Sequence, residues 1–150
     1  MGNKAWKAGD SLKRVALPLT LRRAIQAVGA TRDYYPVHHD EQFARESGAE
    51  GIFFNTMFLQ AFVGRAVCEW FGNDAFLRQL EIAMRGSNYV GRTLTAEGTV
   101  AATRESNGCR LVDADVTLAT EDGPTTEVKL TVQLPVSITP QLVDLGQERR

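Results

Sequence analysis

The residues of this chain best suited to chemistry are Asp33 and His38, a carboxylate and an imidazole in the stretch Asp33-Tyr34-Tyr35-Pro36-Val37-His38. Pro36 fixes its own φ and disfavours the helical conformation for Tyr35, so a helix through residues 33–38 is not expected. A rigid loop can instead direct both side chains to one point. Because imidazole takes up and releases a proton near neutral pH, such a pair can hold and polarise a water molecule.

A metal site is the alternative use of this loop. His39 and Asp40 follow His38 directly, and imidazole and carboxylate suit several divalent ions. Adjacent histidines in an extended loop point apart, however, so we expect no metal here. Asp40 is better explained as the N-cap of a helix.

Length and composition indicate one ordinary globular domain. The chain has 150 residues, of which 43% are hydrophobic and 23% charged. The formal net charge of −1 favours neither nucleic acid nor an anionic membrane as a partner. The apolar stretch 52–71 has the length of a membrane span, but it contains Asn55, Gln60, Arg65 and Glu69, which argue against lipid.

The first ten residues lack the apolar region of a secretory signal, so a cytoplasmic location is expected. The two cysteines, Cys68 and Cys109, belong to no C-x-x-C pattern. We expect both to be small buried side chains in a reducing compartment.

The first half of the chain predicts loops and helices that position the loop. Thr20 is expected to cap a helix over 21–28 that ends at Gly29, and Asp40 a short helix that ends near Gly48. A long helix is predicted from about Phe53 to Trp70, with Gly72 as its stop. It is apolar nearly all round, which is typical of a helix buried on most sides.

The second half alternates with a period of two residues and predicts four half-buried strands. Asn107-Gly108 and Asp122-Gly123 are hairpin signals that join the last three strands into an antiparallel meander. An early strand over 12–17 is also expected. The apolar faces of the four strands are Leu80, Ile82 and Met84; Leu94, Ala96, Gly98, Val100 and Ala102; Val112, Ala114, Val116 and Leu118; and Val128, Leu130, Val132 and Leu134.

An amphipathic sheet needs its apolar face covered, and the long helix is the one candidate of sufficient length. The predicted fold is therefore α+β, a single domain over 1–140 with an antiparallel sheet wrapped around a central helix. Residues 141–150 are polar and are expected to form a loose tail.

Four segments resemble the MaoC-like hot-dog family, which includes (R)-specific enoyl-CoA hydratases. Ala8-Gly9-Asp10 resembles the family's opening. The stretch 33–40, followed by Phe43-Ala44, resembles its D-x-N-P-x-H-x-D…F-A loop. Residues 52–57 lie where the family has I-x-H-G-M, and Tyr89-Val90-Gly91-Arg92-Thr93-Leu94 resembles F/Y-x-G-D-T-L.

The chain departs from these patterns at four positions. Tyr35 stands in place of Asn, Asn55-Thr56 in place of His-Gly, and Arg92 in place of Asp. In this form it is most similar to the small single-hot-dog hydratase subunits of steroid side-chain degradation, which pair with a second MaoC-like chain.

The resemblance implies a hydratase that adds water to a trans-2-enoyl-CoA, with a bulky steroid thioester as one possible substrate and an (R) product. Asp33 and His38 would be catalytic. Asn55, Thr56, Met57 and Tyr35 would bind substrate, with backbone N–H groups at the start of the long helix stabilising the thioester oxygen. It implies no metal or redox cofactor, and either a homodimer or a heteromer with a second MaoC-like subunit. Arg85, Arg92 and Arg104 are candidate contacts for the phosphates of coenzyme A.

Two other functions remain open from the sequence. Hot-dog proteins also include acyl-CoA thioesterases, but these tend to carry an acid on the long helix, where this chain has only Glu69 near the far end. A non-catalytic MaoC-like partner subunit is the second, suggested by Tyr35, Asn55 and Thr56. The presence of both Asp33 and His38 argues against it.

Overall fold

A computed structural model describes residues 5–106 and 108–135 of the chain. Asn107 of the first hairpin signal and the expected tail at 141–150 lie outside the described residues. The elements are strand β1 (Ser11–Pro18), helix α1 (Leu21–Thr31), a 3-10 turn (Pro36–His38), helix α2 (Glu41–Glu46), helix α3 (Thr56–Phe71), and strands β2 (Phe76–Met84), β3 (Thr93–Ser106), β4 (Cys109–Thr120) and β5 (Gly123–Leu134).

The five strands form one sheet in the order β1-β3-β4-β5-β2, and every neighbouring pair is antiparallel. The expected early strand is therefore confirmed, as is the meander of the last three strands. Gly123 has a φ of 121° at the turn from β4 to β5, a conformation in which glycine meets little steric cost. Strands β1 and β2 form the two edges of the sheet.

Helix α3 lies against the inner face of this sheet and completes the core. Its buried positions recur at helical spacing, and the sheet meets them with alternate positions of β3, β4 and β5. This arrangement confirms the predicted α+β fold with a sheet around a central helix. The shared core contains Leu59, Phe62, Val63, Ala66 and Val67 of α3 with Leu94, Ala96, Val100, Val112, Ala114, Val116, Leu118, Val128, Leu130 and Val132 of the sheet.

Helix α3 begins at Thr56, three residues later than the predicted start at Phe53. The Asn55 side chain accepts a hydrogen bond from Phe58 N at 2.9 Å and caps the helix, while Asn55 itself has extended φ and ψ. Phe53 instead forms an isolated antiparallel bridge with Tyr89. The expected stop at Gly72 is confirmed, and Arg65 pairs with Glu69 at 2.8 Å on the polar side of the helix.

Helix α1 runs through Gly29 to Thr31, so the predicted end at Gly29 was wrong. Thr31 Oγ1 donates to Ala27 O at 2.8 Å, which satisfies one of the carbonyls of the last turn. The left-handed residue that closes the helix is Arg32, with a φ of 56°. The expected caps are confirmed at both shorter helices, with Thr20 on α1 and Asp40 on α2.

The burial predictions for Cys68, Cys109 and Ala102 were also wrong. Cys68 is exposed, because it lies on the side of α3 that faces away from the sheet, and Cys109 is half-buried. Ala102 is exposed rather than inward-facing, since a β-bulge after Val100 shifts the register of β3 against β4 and ends the alternation there.

Candidate active site

The end of α1 and a single 3-10 turn position the Asp33–His38 loop. The left-handed conformation of Arg32 turns the chain out of α1 directly before Asp33. Tyr35 is extended, as a residue before proline must be, and Pro36 then opens the turn that carries His38. As expected, no helix runs through residues 33–38. Only the last three of these residues form a short 3-10 turn.

The two side chains meet. His38 Nε2 lies 3.3 Å from Asp33 Oδ2, and the His38 side chain is nearly buried while that of Asp33 is partly open. On the other side of the ring, His38 Nδ1 lies 2.7 Å from Phe53 O. Because a carbonyl oxygen can only accept, Nδ1 carries a proton and Nε2 is the nitrogen free to exchange one.

Asn55 is the second partner of the carboxylate. Its Nδ2 donates to Asp33 Oδ2 at 3.0 Å and to Thr31 Oγ1 at 2.9 Å. The residue is 6% exposed. The carboxylate is thus held from the cap of α3 as well as facing the imidazole.

An apolar pocket of about 340 Å³ opens beside the pair. Its floor is the segment that enters α3, and its walls come from the loop and from the end of β2. The lining residues are Asp33, Tyr35, Val37, His38, Phe53, Phe54, Asn55, Thr56, Met57 and Met84. All six predicted site residues therefore lie around one cavity.

The start of α3 supplies backbone donors at the floor of this pocket. The Phe58 N–H donates to Asn55 Oδ1, and the Leu59 N–H donates to Asn55 O at 3.3 Å. Among the described residues, no acceptor bonds the Thr56 or Met57 amide. Helix N-termini carry partial positive charge, so these two groups can stabilise an anionic oxygen in the cavity.

The two tyrosines of the loop differ in position. Tyr35 lines the pocket with its ring edge-on to His38 at 6.4 Å and to Phe43 at 5.8 Å. Tyr34 is 65% exposed and does not line the pocket. His39 also points away, with Nε2 3.2 Å from Tyr34 O.

The three candidate phosphate-binding arginines are each paired with a carboxylate: Arg85 with Glu127 at 3.2 Å, Arg92 with Asp122, and Arg104 with Asp113. Asp122 raises the pKa of the Arg92 guanidinium above its usual value, chiefly through their hydrogen bond. A phosphate at these positions would compete with the acidic partner, and their role in binding coenzyme A stays a prediction.

Glu41 of α2 contacts the segment 52–54, which leads into the pocket. Its carboxylate pairs with Arg45 at 2.7 Å and accepts from Ile52 N at 3.3 Å. The hydrogen bond from Arg45, and then that from Ile52, hold the pKa of Glu41 below its usual value. These contacts fix the approach of residues 52–54 to His38.

Within residues 5–106 and 108–135, no group of three His, Cys, Asp or Glu side chains is placed to hold a metal ion. In the same part of the chain, no helix is both long and apolar enough to cross a membrane. Asp40 Oδ1 accepts from Phe43 N at 3.0 Å and is occupied as the cap of α2.

Sequence reasoning missed three contributors to the site. Phe53 contributes a backbone carbonyl, and since every residue has one, the residue type does not indicate this role. Thr31 was placed beyond the end of α1, and Met84 was recognised only as an inward-facing strand residue. Asn55 directly before an apolar helix is an N-cap signal that identifies the helix start.

Sequence comparison matches most of the chain to one known protein family. The sequence model of the MaoC-like domain family matches residues 6–122. The beta subunit of 3-oxo-4,17-pregnadiene-20-carboxyl-CoA hydratase from Mycobacterium tuberculosis is 33% identical over 76 residues. That alignment spans 51% of this chain and 59% of the subunit, which is less than two thirds of its length.

Solved structures share the fold. The ChsH1-ChsH2 complex from Mycobacterium tuberculosis matches with a TM-score of 0.79 at 24% identity, over 85% of this chain and 98% of the matched one. The (R)-hydratase from A. caviae involved in PHA biosynthesis matches with a TM-score of 0.80 at 19% identity, over 89% and 100%. At these identities the likeness concerns architecture, and it confirms the expected hot-dog fold.

Proposed function

Because this chain belongs to the MaoC-like domain family, we propose that it is an enoyl-CoA hydratase, which adds water to a trans-2-enoyl-CoA to give a 3-hydroxyacyl-CoA. One observation carries the proposal. The Asp33 carboxylate and His38 Nε2 face each other at 3.3 Å on the wall of an apolar pocket, at the N-terminus of a buried helix. The reaction requires no metal or redox cofactor.

In the proposed mechanism, Asp33 and His38 hold the attacking water between them. His38 Nε2 takes a proton from the water as its oxygen bonds to C3 of the substrate, and Asp33 stabilises the resulting imidazolium. The hydrogen bond from Nδ1 to Phe53 O keeps Nε2 as the basic nitrogen. The π electrons of the C2–C3 bond move toward the thioester, and the proton is then delivered to C2 to complete the hydration.

The charge that develops on the thioester oxygen needs donors fixed in advance. The Thr56 and Met57 amides suit this role, because they lie at the positive end of α3 and line the same pocket as the pair. The Asn55 backbone N–H adjoins them. Tyr35, Met57 and Met84 would contact the acyl chain at the open side of the cavity.

Replacing Thr56 by proline tests the backbone donor directly. Thr56 is the first residue of α3, where proline is well tolerated, and Asn55 before it has φ −77° and ψ 166°, which are compatible with a following proline. The change removes one N–H without breaking the helix. We expect kcat for hydration to fall by about 10²- to 10³-fold, as for the loss of one oxyanion donor.

Thr56→Ala is the matched control, since it keeps the N–H and removes only the side chain, whose Oγ1 lies 3.1 Å from Met84 Sδ. The alanine variant is expected to keep most of the activity. Equal rates for the two variants would show that the Thr56 amide does not contact the thioester oxygen.

For the substrate and the assembly, we propose a bulky steroid side-chain thioester and a heteromer with a second MaoC-like chain. The Mycobacterium tuberculosis relative supports the steroid substrate and the heteromer, because it is the beta subunit of a 3-oxo-4,17-pregnadiene-20-carboxyl-CoA hydratase. The structure of two chains in complex, ChsH1 with ChsH2, adds support for pairing. An open apolar pocket is compatible with a large acyl group.

The deciding experiment incubates the purified chain, alone and with candidate MaoC-like partners, with enoyl-CoAs that carry linear, branched and steroid acyl groups. We expect a mass gain of one water, largest for the steroid thioester and greater when a partner is present. Release of free thiol without hydration would identify a thioesterase instead. If a productive complex does not depend on the Asp33–His38 loop of this chain, the chain is the non-catalytic subunit.

A further inference from the structure

Asn55 has a fully used side chain at the centre of the site. Its two Nδ2 hydrogens go to Asp33 Oδ2 at 3.0 Å and Thr31 Oγ1 at 2.9 Å, and its Oδ1 accepts from Phe58 N at 2.9 Å. The residue is 6% exposed. No hydrogen of this side chain is left over for a substrate.

The orientation of the Asn55 amide is fixed by its partners. A backbone N–H can only donate, so the group facing Phe58 N must be the oxygen, and the ionised carboxylate of Asp33 needs a donor. Thr31 Oγ1 gives its own hydrogen to Ala27 O at 2.8 Å and therefore accepts from Asn55. Reversing the amide would break all three contacts.

We propose that Asn55 is a positioning residue for Asp33, holding the catalytic carboxylate through Nδ2 while it caps α3 through Oδ1. This inference rests on the proposed hydratase function and identifies a further residue of its site. The Asn55 side chain acts on the reaction through Asp33 and does not bind the substrate itself.

The arrangement links the two parts of the site that must act on one substrate, the carboxylate and the start of α3. The carboxylate orients the water, and the first amides of α3 receive the thioester oxygen. One side chain joins Asp33 to the start of that helix, so the distance between water and oxyanion donors is set by Asn55. Capping α3 requires only Oδ1 of Asn55, so the contact of Nδ2 with Asp33 goes beyond the role of a cap.

The amide comes from the helix because the loop offers none. Tyr35 stands where the loop pattern quoted above has asparagine, and its ring packs edge-on against Phe43 at 5.8 Å. Asn55 in turn stands where the helix pattern has histidine. In this chain, the side-chain amide that contacts Asp33 therefore comes from the cap of α3.

The test uses Asn55→Ser and Asn55→Thr, because serine and threonine both remain good N-caps but carry no amide that could donate to Asp33. We expect kcat to fall by about 10- to 100-fold, the range for a lost hydrogen bond to a charged group, with KM unchanged. In the free protein, a crystal structure of the serine variant should show the Asp33 carboxylate displaced from His38 Nε2, which lies 3.3 Å away in the parent chain.

Thr20→Ser is the control, since it changes another helix cap that does not touch the pair. It should leave kcat and KM as in the parent chain. An increase in KM at constant kcat would overturn the inference in favour of a substrate contact. Unchanged kcat in both Asn55 variants, with the Asp33 carboxylate in its parental position, would show that Asn55 serves only as the N-cap of α3.

The two proposals fail separately. If the parent chain hydrates no enoyl-CoA in any combination of partners, the hydratase assignment is wrong, and the position of the Asp33 carboxylate in the serine variant still decides the role of Asn55. If the parent chain is active but the Asn55 variants match it in kcat and in the position of Asp33, only the positioning role is wrong.

Discussion

Asp33→Asn and His38→Ala are each expected to lower kcat/KM for enoyl-CoA hydration by about 10²- to 10⁴-fold, the usual contribution of a positioned acid or base. Asparagine keeps the shape of Asp33 but removes the charge that stabilises the imidazolium. Alanine removes the nitrogen that takes the proton. Steady-state rates on the best substrate of the hydration screen measure both effects.

The double variant should cost little more than the more severe single variant. The two side chains act on one water and share one proton, and residues that work as a unit are strongly non-additive. Independent penalties that multiply would mean that Asp33 and His38 serve separate steps.

His39→Ala is the matched control for the histidine. His39 is exposed, its ring faces Tyr34 O, and it does not line the pocket. It should retain the parental rate, and circular dichroism should show that all variants are folded. Full activity in both Asp33→Asn and His38→Ala would rule out the proposed catalytic pair.

The part of the site that follows from residue types could be predicted from the sequence. A proline between an acid and a histidine predicted a loop rather than a helix, and the two side chains do meet at 3.3 Å. The carbonyl of Phe53 and the amide of Thr56 could not be predicted in the same way. Every residue before and after them has such groups, and only the folded chain decides which ones reach the pocket.

Helix boundaries were less predictable than the helices themselves. Phe53 and Phe54 extend the apolar run of α3 without belonging to the helix, because an apolar residue satisfies the pattern of a buried bridge as well as that of a helix. At α1, the helix continues past Gly29 to Thr31, whose hydroxyl bonds back to Ala27 O. Local signals compete at such ends, and tertiary contacts select among them.

In the sheet too, some strand pairings could be predicted from the sequence and others could not. Alternation and the Asp122-Gly123 turn predicted which strands pair along the meander, since neighbours joined by a tight turn are antiparallel. Alternation alone does not say that β1 pairs with β3 or that β2 pairs with β5 at the other edge. Those pairings join segments far apart in the sequence, so no local turn signal identifies them.

The largest effect on stability is expected at Gly98, in the middle of β3. Gly98 pairs with Val116 on one side and with Leu12 on the other, so neighbouring backbone lies on both flanks. A Cβ at this position would overlap the carbonyl oxygen of Asp115 and lie 2.9 Å from Val116 Cα. Backbone atoms in a ladder cannot move aside without losing hydrogen bonds, and a glycine inside a strand is typical of such a close approach.

We therefore expect Gly98→Ala to lower the free energy of unfolding by about 3 kcal/mol, the upper part of the range for overpacking. For a chain of this size, that corresponds to a fall in Tm of roughly 6–12 °C. Gly64→Ala in α3 is the matched control, because no heavy atom lies within 4 Å of the added carbon. Since alanine is the better helix former by about 1 kcal/mol, the control should raise Tm slightly. Equal Tm values for the two variants would mean that β3 and β4 can separate at Gly98, and the close pairing that closes the sheet over α3 would then not be a rigid feature of the fold.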